Sequence, residues 1–381
     1  MIYFDNSATT KPYKEVIDAF VKVSNDYFGN PSSLHRIGGA AENLLIEARS
    51  QIAKLLNVRA NEVFFTSGGT ESNNLAIKGT ALMYKGRGKH IVTTAVEHSS
   101  TREAIEQLKK QFGFQVTYVP VDTSGRISPI DVKKAIRDET ILVTIIHVNN
   151  EIGTIQPIQE IGQLLRDYPK ILFHVDHIQG VGKVPLNMHE DNIDLYSISG
   201  HKFHALKGTG ALLIKQGIKI SPLFSGGSQE LKIRSGTENV AGIVAMAKAL
   251  RLTFEKKAAT LEKLTSIKNI LKKELEKIER IIVHTPSEQA APHILNFSVR
   301  GIKAEVFLHA LEEKEIYVST TSACSSKNKA ASNTLLAMGV NQDIAESAIR
   351  ISLTYDNTIE EAKAVIKGIT ETVKQLGEVM N

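Results

Sequence analysis

Between residues 62 and 199 short apolar runs alternate with amphipathic stretches, and few folds accommodate that rhythm. EVFFTS, KHIVTTAV, FQVTYVPV, TILVTIIHV, ILFHVD and DLYSIS are rich in Val, Ile, Phe and Thr and read as strands. Helical patterns at 71–84, 100–111, 128–137 and 158–167 lie between them. Strand, helix, strand in this order predicts an α/β fold: a mostly parallel sheet with helices on both faces. TILVTIIHV has no polar alternation, which suits a central strand buried on both sides.

A long charged helix is expected over 238–277, joining two domains. Beyond it HILNFSVR and EIYVST read as strands, and 304–313 and 358–376 as helices, the mixed order of a smaller α+β domain. The expected division is 14–255 for the large domain and 1–13 with 256–381 for the small one. The pattern of the first dozen residues would by itself suit either.

At 381 residues the chain exceeds one ordinary core, and 42% hydrophobic with 23% charged residues is a soluble globular profile. No apolar run approaches the ~20 residues that span a bilayer, so no membrane partner is expected. MIYFDNSATTKPY lacks a basic-then-apolar leader, so the expected location is the cytoplasm. The net charge of +5 comes without a dense basic run, so no direct nucleic-acid partner is expected. A single cysteine excludes an intrachain disulfide and any multi-cysteine metal centre, and no metal is expected.

Ligands of open α/β sheets collect at the carboxyl ends of strands, and polar groups stand at those ends here. TSGGTESNN follows the first run, Glu97 and His98 the second, and Asn149 the fourth. Asp176 and Gln179 close the fifth, and GHKFHALKG follows the sixth. Gly68 and Gly69 permit a tight turn into a helix at Thr70, which suits either a phosphate cradle or an ordinary helix cap. Lys202 is either a surface charge or a Schiff-base amine. Asp176 is either a helix cap, a salt-bridge partner or the acid that keeps a pyridine nitrogen protonated. Pyridoxal 5'-phosphate (PLP) needs such a lysine and such an acid together.

Cys324 lies in VSTTSACSSKNKAASNTLL, where almost nothing from 320 to 333 is large and apolar. A lone cysteine is commonly a small buried hydrophobe, but this segment buries too little to order itself, so a mobile loop is expected over 320–333. Lys327 and Lys329 would favour a thiolate or merely serve solubility.

Ten strings in order, DNSATT, FGNPSSLH, FTSGGTESNN, EHSS, HVNNEIG, HVDHIQ, SISGHK, RSGTEN, SACSS and SAIRISL, span essentially the whole chain. In these the chain resembles the group I, NifS/IscS-like cysteine desulfurases, fold type I (class V aminotransferase) PLP enzymes. The resemblance implies a mostly parallel seven-stranded sheet in the large domain and an activity that converts L-cysteine to L-alanine. Lys202 would be the Schiff-base lysine and remove the Cα proton. Asp176 would pair with the pyridine nitrogen, and Gln179 and Asn149 would lie near the ring's phenolic oxygen. Gly69, Thr70, Ser199 and His201 would hold the phosphate. Thr237 would reach the phosphate of the other subunit of a homodimer. His98 would stack on the ring and move protons, and Arg350 would clamp the substrate carboxylate, with Asn149 beside it. Cys324 would take the sulfur as a persulfide and pass it to an acceptor protein, an iron–sulfur scaffold or a tRNA 4-thiouridine sulfurtransferase.

Two positions depart from the family pattern. His177 stands where a small residue is usual, and Thr321 where Gly is frequent. The resemblance leaves a selenocysteine lyase or an aminotransferase as rival activities. A sulfur carrier without PLP chemistry and an RNA-binding protein are rivals of other classes.

Overall fold

A computed structural model describes residues 1–320 and 331–379. The expected α/β architecture is present. After a short strand β1 (Ile2–Tyr3) come helices α1 (Lys14–Asp26) and α2 (Arg36–Leu55), neither of which the strand–helix alternation announces. The six apolar runs form β2 (Val63–Thr66), β3 (His90–Thr94), β4 (Gln115–Val119), β5 (Thr140–Ile146), β6 (Leu172–Asp176) and β7 (Leu195–Ser199). The helices between them are α3 (Gly69–Tyr84), α4 (Ser99–Phe112), α5 (Pro129–Ala135) and α6 (Ile158–Leu165), each within a few residues of its expected range.

The seventh strand, β8 (Gly210–Ile214), is a five-residue run that enters between β2 and β7, antiparallel to both. The order is β2-β8-β7-β6-β5-β3-β4, and all pairs from β7 to β4 are parallel. Two reversals across β8 leave β2 pointing the same way as the parallel strands. The turn after β2 therefore opens at the same sheet edge as those after β3, β5, β6 and β7, the edge where ligands are expected. All seven residues of β5 are buried, as its unbroken apolar run requires.

Helix α7 (Val240–Leu275), 36 residues long, runs through two cores. Ile243, Met246 and Leu250 pack with the large sheet, and Leu264, Ile267, Leu271 and Leu275 with the smaller one. That smaller part holds β9 (Ile281–Val283), β10 (Ile294–Val299), α8 (Ala304–Glu312), β11 (Ile316–Tyr317), β12 (Ser319–Thr320), α9 (Asn333–Ala337), α10 (Gln342–Glu346), β13 (Ala348–Ser352) and α11 (Ile359–Val379). Its sheet is antiparallel in the order β12-β13-β10-β9, while β1 pairs in parallel with β11. The far end of the expected loop 320–333 is helical: Ser332 caps α9 by accepting from the Leu335 amide. Cys324 and Thr321 lie outside the described residues.

The first thirteen residues touch both parts. Phe4 is buried in the second core and Asp5 bridges Ser352, whereas Thr10 donates to the His201 carbonyl and Tyr13 stacks on His204.

Where β8 passes the turn after β2 there is no room for a side chain. A Cβ on Gly210 would stand 2.6 Å from the Gly68 Cα, and Gly68 itself has φ +150°. Gly210→Ala should lower stability by about 2 kcal/mol, the usual cost of overpacking, and displace the Gly68 turn. Thermal unfolding of the purified variant checks this, and an unchanged midpoint would contradict it.

Candidate active site

Asp176 ends β6 with 2% of its surface exposed. Its Oδ2 accepts from Asn73 Nδ2 at 2.8 Å and its Oδ1 from the Ile178 amide at 3.1 Å. Burial pushes its pKa up, and His98 is the first of the influences that draw it back, followed by these two hydrogen bonds and Lys202. A carboxylate met only by neutral donors in a dry place favours a cation beside it.

His98 caps α4 directly after β3. Its Nδ1 accepts from the Ser100 amide at 3.2 Å and lies 2.8 Å from Ser100 Oγ. Burial holds its pKa below the ordinary value. A neutral ring whose Nδ1 accepts a backbone N–H carries its proton on Nε2. Asn73 Nδ2 also donates to Ser100 Oγ at 2.9 Å, so a chain of bonds joins Asp176, Asn73, Ser100 and His98.

Lys202 follows β7 in a single helical turn, Gly200–Lys202. Its Nζ donates to the carbonyls of Ser7 and, at 2.8 Å, Ala8. Gln179 Nε2 donates to the same Ser7 carbonyl at 3.0 Å. His201 Nδ1 lies 3.2 Å from Thr9 Oγ1, and burial, then Lys202, hold its pKa down at about 4. The first residues of the chain thus bind three site groups through their backbone and Thr9, a contact that no side-chain motif announces. Behind them Lys183 is buried, its Nζ donating to the Lys202 carbonyl at 3.3 Å, and burial holds its pKa down at about 8.

The turn before α3 faces this group. A Cβ on Gly69 would lie 3.4 Å from Ser199 Cβ and 2.2 Å from Ile178 Cδ1, and one on Gly68 3.7 Å from Ser199 Oγ. Gly68 is the N-cap of α3, and among the described residues no side chain accepts from the first-turn amides. The first-turn amides of Gly69 and Thr70 stand at the positive end of the helix dipole beside Ser199, the geometry that suits an anion.

Arg350 rises from β13, 5% exposed. Its Nη1 donates to the Asn150 carbonyl at 2.9 Å and its Nη2 to Asp5 Oδ1 at 3.0 Å, while the buried Nε has no hydrogen-bond partner among the described residues. Asn149 is fully buried, and its side chain is bonded to protein. Nδ2 donates to the Val96 carbonyl at 3.0 Å, and Oδ1 accepts from the Glu151 and Ile152 amides at 2.9 and 3.0 Å. It shapes the turn that offers the Asn150 carbonyl to Arg350. Thr237 is exposed and lies apart from these groups in sequence, after the turn at Gly236.

His177, the departure beside Asp176, is buried away from these groups. Its Nδ1 lies 2.8 Å from His147 Nδ1, the two rings stack, and Tyr196 packs edge-on. The pair ties the ends of β5 and β6 together behind the carboxylate.

Glu97 is buried next to His98. Its Oε1 accepts from Thr94 Oγ1 at 2.7 Å and the Ile146 amide at 3.0 Å, and its Oε2 has no partner among the described residues. Burial raises its pKa from the ordinary 4.5 to about 8, so near neutrality the folded chain holds a proton that the unfolded chain has released. In that window stability falls as pH rises. Glu97→Gln removes the effect, and its melting temperature should gain on wild type steadily between the two values. A difference that stays flat with pH would contradict this assignment.

Residues 2–365 match the family model of class-V aminotransferases. The chain is 46% identical to a NifS/IcsS protein homolog of Lactobacillus delbrueckii subsp. bulgaricus, over 100% of this chain and 99% of that one. It is 43% identical to the cysteine desulfurase IscS of Dictyoglomus turgidum, over 98% of this chain and 95% of that one. A solved NifS-like protein superposes with a TM-score of 0.92 at 36% identity, covering 98% of this chain and 99% of its own. The chain belongs to the class-V aminotransferase family, on its NifS/IscS-like branch.

Proposed function

We propose that the protein is a PLP-dependent cysteine desulfurase that converts L-cysteine to L-alanine and holds the sulfur as a persulfide on Cys324. The observation that carries this reading is the meeting of a buried acid, an amine and an uncapped helix N-terminus at one sheet edge: Asp176, Lys202 and the Gly68–Thr70 turn.

PLP fits these residues. Asp176 is buried and, among the described residues, hydrogen-bonded only by the neutral Asn73 amide and Ile178 N–H, so it suits a cationic N–H such as a protonated pyridine supplies. The open amides of Gly69 and Thr70, with Ser199 and His201 alongside, suit a phosphate dianion. When bound, PLP supplies an electron sink for the pair left on the substrate Cα.

The residues divide the remaining work. Lys202 Nζ takes the Cα proton and returns it. His98, with its proton on Nε2, faces the same carboxylate and moves protons between substrate atoms. Gln179 and Asn149 border the ring's oxygen side, Asn149 chiefly by shaping the loop above it. Arg350 receives the substrate carboxylate. The Cys324 thiolate forms an S–S bond with the substrate sulfur as the C–S bond breaks, and the released electron pair takes a proton on carbon, giving alanine.

The finer parts of the reading rest on family likeness. They are a homodimer in which Thr237 serves the partner's phosphate, and the division into 14–255 and 1–13 with 256–381. They also include a cytoplasmic location and delivery of sulfur to an iron–sulfur scaffold or a tRNA 4-thiouridine sulfurtransferase.

Wild type and Cys324→Ala, each incubated with L-cysteine and a reductant, test the function by assay of sulfide and alanine together. Wild type should yield both in equal amounts and the variant neither. Equal yields from both proteins would remove Cys324 from the reaction and favour a selenocysteine lyase.

A further inference from the structure

The clamp proposed for the substrate carboxylate already holds a carboxylate of its own. Asp5 Oδ1 accepts from Arg350 Nη2 at 3.0 Å. The placement follows from backbone pairing. Asp5 bridges Ser352 in parallel register, and Ser352 and Arg350, two apart on β13, share a face. Asp5 therefore projects onto that face and reaches the guanidinium.

Both groups are withdrawn from water, the Arg350 side chain 7% exposed and that of Asp5 19%. Of the five N–H donors of a guanidinium, one meets Asp5, one meets the Asn150 carbonyl, and the buried Nε–H meets no acceptor among the described residues. An incoming carboxylate has the Nε edge to bind, but it arrives beside an anion on the same cation. In poorly hydrated surroundings that like-charge contact weighs heavily.

We propose that Asp5 is a charge-tuning residue that weakens the grip of Arg350 on carboxylates. With Asp5 in place the clamp is close to neutral, so a substrate gains hydrogen bonds but little unbalanced charge. The product carries the same α-carboxylate as the substrate, so a looser clamp favours its release. The pairing also disfavours small inorganic anions and amino acids with a second carboxylate. This inference rests on the reading of Arg350 as the carboxylate clamp.

Asp5→Asn is the direct test, because the amide keeps an oxygen for Nη2 and removes only the charge. Asp5→Ser is a second charge-removing variant. Calorimetric titration of the holoprotein with acetate and with L-alanine should show both ligands bound at least about tenfold tighter by either variant than by wild type. The KM for L-cysteine should fall with them and kcat should not rise. Adding Arg350→Gln to Asp5→Asn should abolish the gain, which locates it at this cation. Unchanged or weaker acetate and alanine binding in Asp5→Asn would overturn the proposal and leave Asp5 an orienting partner only. Acetate binding that follows the prediction in a protein that makes no alanine from cysteine would instead overturn the functional reading and leave the charge-tuning intact.

Discussion

The site is organised around the cost of burying a carboxylate. Asp176 sits in the interior at the end of β6, where its charge is unfavourable unless donors and a cation surround it. Asn73 and the Ile178 amide supply the donors, and His98 and Lys202 bring compensating charge or protons. Each partner comes from a different element: Asn73 from α3, His98 from the cap of α4, Lys202 from the turn after β7. The sheet makes their meeting possible. With β8 reversing direction between β2 and β7, every loop that contributes to the site opens at one edge.

The N-terminal segment is the second organising element. Within a few residues it pairs with β11, bridges β13, presents the Ser7 and Ala8 carbonyls to Lys202 and the Ser7 carbonyl to Gln179, and sends Asp5 to Arg350. It thereby joins Lys202, on the large sheet, to Arg350, on the smaller one. A displacement of the smaller sheet against the larger would be felt at Lys202 and Arg350 together.

Much of this was legible in the sequence, for physical reasons that also explain what was not. Six strands could be read because their runs of β-branched and aromatic residues are long enough to stand out. The seventh, GALLI, is short and begins at glycine, and no helical pattern leads into it. Helices α1 and α2 precede the first strand and so fall outside the alternation that revealed the others. Asp176, Lys202 and His98 stand out at strand ends and Arg350 in the string SAIRISL, and the structure brings Asp176, His98 and Lys202 together. The carbonyls of Ser7 and Ala8 do not stand out, since a backbone acceptor leaves no trace in residue identity. Asp5 stood in a noted string, DNSATT, without a role, because its partner lies 345 residues away. Glu97 was noted at its strand end, but its burial, which keeps it protonated, depends on packing. His177 departs from the family pattern, and residue identity alone does not say where its ring goes. It points at His147, a pairing that the β5–β6 register brings about.

The central claim is that Lys202, among the lysines of this chain, is the amine that carries the cofactor. Lys183 makes the question sharp, since it too is buried, its pKa is held down at about 8, and its Nζ bonds the Lys202 carbonyl. Borohydride reduction of the purified holoprotein, followed by peptide mapping, reads the attachment point directly. A pyridoxyl group found on Lys202 alone is the result predicted here. The same group on Lys183, or the absence of any labelled lysine, would contradict the account.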